Sequence, residues 1–215
     1  MATVHATGVQ RLILDNVDWR MYTQLLRALG ERPRLRLTYD RGTLEIMTPL
    51  LEHDWDGDFL GRLAVILSEE LGLPLRAGGS VTLRRRRKQR GLEPDRCYWI
   101  TSEPRVHGKR TLDLRVDPPP DLAIEVDATR SSLDRLAIYA RLGVPEVWRL
   151  DGDSLTFHVL GPDGKYAVSE HSRVFPGVRP ADLLSVLSLR PQLDDNAAAR
   201  QFRAWVQQRI AAGWQ

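Results

Sequence analysis

The strongest constraint on the fold is the stretch 121–150, which passes from a strand pattern to a helix pattern and back. Its first run, DLAIEV, is apolar and rich in β-forming residues, as expected of a buried central strand. The next run, LDRLAIYARLG, predicts a helix that is capped by Ser131 or Ser132 and ends at Gly143. PEVWRLD predicts a second strand. Because a crossover helix makes its two strands parallel neighbours, this stretch predicts an α/β fold.

The rest of the chain adds a hairpin, further strands and a helix near each end. Residues 9–30 predict a short helix, and the alternating run 34–48 predicts a hairpin with its turn at residues 40–42. Asp54 is expected to cap the next helix. Further strands are predicted at 81–85, 96–100, 111–116, 154–160 and from 165, and tail helices at 181–189 and 196–212. We therefore expect one domain over residues 1–215, with a mixed β-sheet flanked by helices, an N-terminal helix and hairpin, and a C-terminal helical extension from about 180.

Composition excludes several classes of protein. The chain has 215 residues, 42% of them hydrophobic, which suffices for one core. No apolar run is long enough for a membrane span, and the N-terminus lacks the pattern of a secretory signal. Cys97 is the only cysteine, which excludes a disulfide framework or a cysteine zinc site within one chain. We expect a cytoplasmic protein whose net charge of +3 permits an anionic partner.

Three acids share one face of the predicted central strand. Asp121, Glu125 and Asp127 are separated by even numbers of residues, so their side chains point to the same side. Buried carboxylates need compensation, and a divalent cation with oxygen ligands such as Mg²⁺ would provide it. Alternatively, Asp121 and Asp127 lie in loops at the strand ends, and Glu125 pairs with an arginine. From the residues alone, both interpretations stay open.

A basic run lies at residues 84–90, where RRRRKQR places six cations in seven positions. The run leads directly into Glu93 and Asp95, so we expect the run to lie near any site that is built on those acids. The candidates for contacts with a phosphate backbone are Arg84, Arg85, Arg86, Arg87 and Lys88. The alternative is a solvated loop between two strands.

Four separated motifs, in the same order along the chain, resemble those of one family. Residues 118–152 contain PDLAIEV, a serine-bearing turn, a helix with a tyrosine, and GVPEVW. Residues 41–67, GLEPDRCYWI at 91–100 and FPGV at 175–178 match the family's other segments. Over roughly residues 10–185 the chain resembles the Uma-two family of restriction-endonuclease-like proteins.

The resemblance implies a PD-(D/E)XK nuclease fold, in which acids on neighbouring strands hold Mg²⁺ or Mn²⁺. By their positions in the motifs, Asp95 and Glu125 would be metal ligands, and Glu52 a further one. The usual lysine is absent: Asp127 stands in its place as a second-rank site residue. Arg135, four residues before the helix tyrosine, occupies the position to which the family commonly moves this lysine.

The implied function is a metal-dependent endonuclease that hydrolyses DNA, and pairing into a homodimer would let such an enzyme cut both strands. Arginine at position 135, in place of the usual lysine, weakens the case for this function, because arginine holds phosphate well but cannot accept a proton at neutral pH. The alternatives are a catalytically degenerate nucleic-acid-binding protein and a structural protein of the same fold. His53, beside Glu52, is either a site residue or a histidine with a local hydrogen bond at the start of its helix.

Overall fold

The computed structural model describes residues 10–30, 35–48, 51–79, 81–127, 131 and 133–214; the side chains of residues 10, 51–53 and 127 lie outside this description. A 3₁₀ turn at Arg86–Lys88 joins the strands Leu83–Arg85 and Arg90–Leu92. The elements in chain order are β1 (Gln10–Leu14), α1 (Trp19–Leu29), β2 (Arg36–Asp40), β3 (Thr43–Thr48), α2 (Leu51–Glu70), β4 (Arg76–Ala77), β5 (Leu83–Arg85), β6 (Arg90–Leu92), β7 (Arg96–Trp99), α3 (Glu103–Val106), β8 (Leu122–Asp127), α4 (Arg135–Leu142), β9 (Glu146–Asp151), β10 (Ser154–Leu160), β11 (Tyr166–Ser169), α5 (Pro180–Leu187) and α6 (Asp195–Ala211).

The strands form two sheets. One has the order β1-β3-β2-β6-β5 and is antiparallel throughout the described residues. The other has the order β11-β10-β9-β8-β7-β4, in which β8 and β9 run parallel and the remaining described neighbours antiparallel. The predicted α/β class and the strand–helix–strand unit at 121–150 are therefore confirmed, and the mixed sheet is the six-stranded one.

Helix α4 lies between the two sheets. On one side it packs on β8 and β9 through Ala123 and Val147, and on the other it meets Leu83 and Leu92 of the five-stranded sheet. The opposite face of β8 and β9 packs against α2, α5 and α6 in the main hydrophobic core. The strand alternation predicted for β8 produces this division, because neighbouring side chains point to opposite faces.

The N-terminal segment corrects one prediction. Residues 10–14, expected at the start of a helix, form β1 and pair antiparallel with β3. Asn16 has a φ of 58°, which interrupts the regular backbone, and the Asp18 side chain accepts a hydrogen bond from the Met21 amide at 2.7 Å. The helix therefore begins only at Trp19.

Three further local predictions were wrong. Residues 111–116 form turns rather than a strand, since the Asp117 side chain accepts from the Asp113 amide at 2.8 Å. Asp54 lies inside α2, which begins at Leu51, so it is not the cap. Helix α4 is capped by Asp134, whose side chain accepts from the Ala137 amide, and not by Ser131; Ser132 lies outside the described residues.

Among the residues that the structure describes, no helix combines the length and the apolar character needed to cross a membrane.

Candidate active site

Asp95 and Glu125 lie on neighbouring strands, as the motifs predicted. The antiparallel ladder pairs Arg96 with Ile124, so Asp95, one residue before β7, stands level with Glu125 of β8. Both acids are buried, with 7% and 6% of their surfaces exposed. The fold thus brings together two carboxylates that are 30 residues apart in sequence.

Arg135 of α4 holds the carboxylate of Glu125 with two hydrogen bonds. Its Nε donates to Oε2 at 3.0 Å and its Nη2 donates to Oε1 at 2.7 Å. The hydroxyl of Tyr139, one helical turn further on, also donates to Oε1. Since Glu125 and Tyr139 are buried and only 13% of the Arg135 side chain is exposed, the pair is an internal ion pair rather than a surface contact.

Burial dominates the protonation of this cluster. It raises the pKa of Glu125 to about 7; Arg135 acts in the opposite direction, and the charge of Asp95 raises the pKa further. Burial also raises the pKa of Asp95, against the Val126 amide and the positive charge of Arg135. For Arg135, burial is the largest single effect and lowers the pKa, but the charge of Glu125, its hydrogen bonds and the charges of Tyr139 and Asp95 together outweigh burial and raise the pKa. The charge of Asp95 therefore affects the ionisation of Glu125, as expected of acids close to one another.

Arg135 also joins the site to the N-terminal sheet. Its Nη1 donates to Oγ1 of Thr38 at 2.6 Å, and its Nη2 donates to the backbone carbonyl of Glu93 at 2.9 Å. Glu45, opposite Thr38 in the β2–β3 ladder, is buried and accepts a hydrogen bond from Ser131 at 2.7 Å. Both sheets therefore contribute to the surroundings of the two acids.

Asp95 has its own set of partners. Its Oδ2 accepts from the Val126 amide at 2.8 Å, and its Oδ1 lies 3.9 Å from Nε of Arg36. The same guanidinium lies 3.7 Å from Asp54 of α2. A second cation besides Arg135 therefore stands at the acidic cluster.

Asp121 does not belong to this cluster. It precedes β8, and one of its carboxylate oxygens accepts from the amides of Ile100 and Ser102 and from the Ser102 hydroxyl. For Asp121 the structure thus bears out the alternative in which the acid lies at a strand end and serves a loop. Glu125, paired with Arg135, also follows that alternative.

The carboxylate oxygens of Asp95 and Glu125 are the kind of ligand that a hard divalent cation prefers. Mg²⁺ is commonly held by one or two carboxylates and completed by water and substrate phosphate, and these two acids supply that set. Among the described residues, no group of three histidine, cysteine or acidic side chains could hold a metal ion. The side chains of Glu52, His53 and Asp127, which were predicted at the site, lie outside the described part of the chain.

A cavity of about 420 Å³ lies beside the Glu125–Arg135 pair on the α4 side of the sheet. Tyr139, Arg149 and Asp151 are among its lining residues. The carboxylate of Glu125 therefore borders a space large enough for several water molecules rather than packed apolar side chains alone.

The basic run is a hairpin rather than a free loop. Its exposed side chains are Arg84, Arg86, Arg87 and Lys88, whereas Arg85 is half-buried. Arg90 is buried and lies 2.7 Å from the carboxylate of Asp40. The predicted candidates thus differ in exposure, a difference that the sequence run did not indicate.

Sequence reasoning missed Arg36 and Thr38, and it identified Tyr139 only as the helix tyrosine of the family motif. Tyr139 is fully buried, and its hydroxyl contacts Glu125. Its spacing of four residues from Arg135 puts both on one helix face, which was an available signal. Arg36 and Thr38 share one face of β2, but nothing in the local pattern indicates that both side chains are buried.

Comparisons with known proteins agree on the family and the fold. The model of the Uma2 family, described as "Putative restriction endonuclease", matches residues 19–194. A crystal structure of a "putative nuclease belonging to DUF820" from Anabaena variabilis ATCC 29413 is similar with a TM-score of 0.51 and 17% identity, covering 74% of this chain and 95% of that chain. No curated protein matches the chain. The structural likeness supports the predicted restriction-endonuclease-like fold.

Proposed function

Since the chain belongs to the Uma2 family, we propose that it is a metal-dependent endonuclease that hydrolyses DNA phosphodiester bonds with Mg²⁺ or Mn²⁺. The observation that carries the proposal is the pair of buried carboxylates, Asp95 and Glu125, on neighbouring strands beside Arg135. Clustered acids with raised pKa values are common at catalytic sites, because a fold seldom buries such charges without a use for them.

The proposed roles follow from the contacts. Asp95 and Glu125 would hold the divalent cation, with Glu52 and Asp127 as second-rank ligands. When bound, such a cation supplies Lewis-acid stabilisation of the phosphate and lowers the pKa of a bound water. Arg135 orients Glu125 and offers charge to the phosphate, but it does not act as a base, because its pKa is raised further. Arg36, beside Asp95, can stabilise the negative charge that develops on the phosphate.

Other features are part of the same proposal. We propose DNA as the partner, a cytoplasmic location and pairing of two copies to cut both strands. DNA contacts were predicted for residues 84–88, and of these residues the proposal keeps Arg84 and Arg86, which line a groove beside α1.

A second candidate function rests on one observation. Both oxygens of Glu125 already accept hydrogen bonds from Arg135, so an incoming cation competes with a guanidinium for this carboxylate. If the ion pair persists, the chain is a catalytically degenerate nucleic-acid-binding protein of the same fold. Arginine at this position, in place of lysine, favours this alternative.

Plasmid cleavage with Mg²⁺ or Mn²⁺ tests the proposal. We expect wild type to nick supercoiled plasmid, and Asp95→Asn and Glu125→Gln to lose more than about 100-fold, since even groups that only orient metal ligands contribute about 10- to 100-fold. Glu170→Gln is the matched control, because Glu170 is an exposed acid that follows β11. Cleavage that survives both site substitutions would overturn the assignment of the site.

Arg135→Lys separates the two candidate functions. Activity in wild type that falls in Arg135→Lys supports an arginine that works in catalysis. Silence in wild type with either metal, together with cleavage by Arg135→Lys, would establish the degenerate site instead. Circular dichroism of each variant shows whether the fold is retained.

A further inference from the structure

A groove of about 1720 Å³ runs between α1, the β5–β6 hairpin and the turns at residues 109–117. We infer that this groove binds an unpaired nucleic-acid strand and leads it to Asp95; the inference rests on the proposed function and adds the substrate class and the binding track. Three features carry it: the distribution of charge, the apolar floor and the connection to the acidic cluster.

The groove is positively charged on both walls. Among the described residues that line it, seven are cations and three are acids. Two of these acids are already paired within the 109–117 turns, Asp117 with Lys109 and Asp113 with Arg115. The exposed arginines of α1 and of the hairpin that line the groove make no ion pair with an acid in the described part of the chain; they are Arg20, Arg27, Arg84 and Arg86. Such side chains suit the phosphates of a backbone.

The two α1 arginines have a regular spacing. Arg20 and Arg27 are seven residues apart, two turns on one helix face and roughly 10 Å along the axis. Arg84 on the opposite wall is close enough to act electrostatically on both Tyr22 of α1 and Asp113 of the turns. The cations therefore follow the length of the groove rather than forming one cluster.

The floor of the groove is apolar. It includes Trp19, whose ring is held edge-on against Tyr22 and Tyr39 at 5.3 and 5.6 Å. Leu112 and the 76% exposed Val116 extend this surface on the other side. A duplex presents phosphates and sugars to a groove, whereas an unpaired strand also presents base faces, which gain from contact with aromatic and apolar side chains. The combination of cationic walls and an apolar floor favours the unpaired strand.

The groove reaches the candidate active site through two residues. Arg36 lines the groove and lies 3.9 Å from Asp95. Glu93 also lines it, and its backbone carbonyl accepts a hydrogen bond from Arg135. Asp95 and Glu125 do not line the groove themselves, so a strand bound along it would end at Arg36 and Glu93, beside the acidic cluster.

The groove divides the basic run in a way that can be tested. Arg84 and Arg86 line it, whereas Arg87 and Lys88, equally exposed, are not among its lining residues. The double variants Arg84→Ala/Arg86→Ala and Arg87→Ala/Lys88→Ala therefore remove the same charge from the same hairpin, at different positions relative to the groove. Any effect of net charge alone is equal in the two.

The test is fluorescence anisotropy with a labelled single-stranded oligodeoxynucleotide and with its duplex, in EDTA to prevent cleavage. We expect wild type to bind the single strand more tightly. Arg84→Ala/Arg86→Ala should weaken binding about fivefold per arginine at about 0.1 M salt, and reduce the slope of log K against log salt by about 0.7 per arginine. Arg87→Ala/Lys88→Ala should change both quantities clearly less than Arg84→Ala/Arg86→Ala does. Val116→Ser should weaken single-strand binding by about fourfold, the effect of roughly one methylene group, and leave duplex binding unchanged.

The outcomes distinguish this inference from the proposed function. Equal or tighter binding of the duplex, or equal losses in the two double variants, overturns the groove assignment even if the protein cleaves plasmid. Absence of binding to either nucleic acid, together with absence of cleavage, overturns the proposed function and the groove assignment with it.

Discussion

Arg135 of α4 donates from Nε and Nη2 to the two oxygens of Glu125 in β8, at 3.0 and 2.7 Å. The contact joins the crossover helix to the first strand of its own strand–helix–strand unit. The same guanidinium also donates to the Thr38 hydroxyl in the five-stranded sheet and to the backbone carbonyl of Glu93, which follows β6. One side chain therefore links both sheets at the point where the acids meet.

Removing this guanidinium should be costly. We expect Arg135→Ala to lower the free energy of unfolding by about 3–5 kcal/mol, because it leaves Glu125 buried without its counter-charge. Arg141→Ala, at an exposed arginine of the same helix, should change it by less than about 0.5 kcal/mol. Denaturant unfolding of the two variants measures the difference, and similar values for both would contradict a structural role of the ion pair.

The hydroxyl of Tyr139 should matter more to activity than to stability. It donates to Glu125, so Tyr139→Phe leaves the ring packing intact and removes one orienting bond. We expect plasmid cleavage to fall about 10- to 100-fold, with a loss of stability near 1 kcal/mol. Tyr166→Phe is the matched control, since the Tyr166 hydroxyl donates to the Val144 carbonyl outside the site. Equal activity losses in the two variants would argue against the orienting role.

Glu146 provides a prediction about pH. Its Oε1 accepts from Nε1 of Trp148 at 2.7 Å and its Oε2 from the amides of Arg173 and Val174, both at 2.9 Å. Burial raises its pKa above the ordinary value of 4.5, although these donors act in the opposite direction. The folded chain therefore binds this proton more tightly than the unfolded chain, and the stability from Glu146 falls as the pH rises from about 4.5 through the folded pKa.

Glu146→Gln isolates this effect, because glutamine does not titrate. The variant should be less stable by about 1–3 kcal/mol at the acidic end, since its amide nitrogen faces hydrogen-bond donors. The gap to wild type should narrow as the pH rises. Thermal unfolding across this pH range, with Glu170→Gln as a reference, measures the gap; a gap that widens with pH would contradict the raised pKa.

Gly91 should be intolerant of any side chain. A Cβ there would collide with the Tyr22 hydroxyl and lie 2.9 Å from its Cζ, and the Tyr22 ring is stacked on Tyr39 at 4.7 Å. We expect Gly91→Ala to cost about 1–3 kcal/mol through overpacking between β6 and α1. Tyr22→Phe in the Gly91→Ala background should recover part of the loss. A double-mutant cycle measures this coupling, and additive effects would exclude the steric explanation.

The parts of the fold that were predictable are those with local causes. The β8–α4–β9 unit follows from a short apolar run, an amphipathic segment and Gly143, all readable within about 30 residues. The prediction of a helix from residue 9 failed because β1 is stabilised by pairing with β3, whose partner residues are 30 to 38 positions away. Helix and strand propensities alone do not decide the structure of residues 10–14, because a local stretch of sequence does not include the strand with which they pair.

The candidate site divides in the same way. The sequence motifs, through their resemblance to the family, implied that Asp95 and Glu125 would lie on adjacent strands, and the local pattern placed Arg135 on the helix that follows. Only the tertiary structure decided that Arg135 takes both oxygens of Glu125, that Thr38, 97 residues away, completes its bonds, and that Arg36 stands at Asp95. Those contacts depend on how the two sheets pack around α4. Packing between segments that are far apart in the sequence produces no periodic pattern of residues, so the sequence does not indicate it.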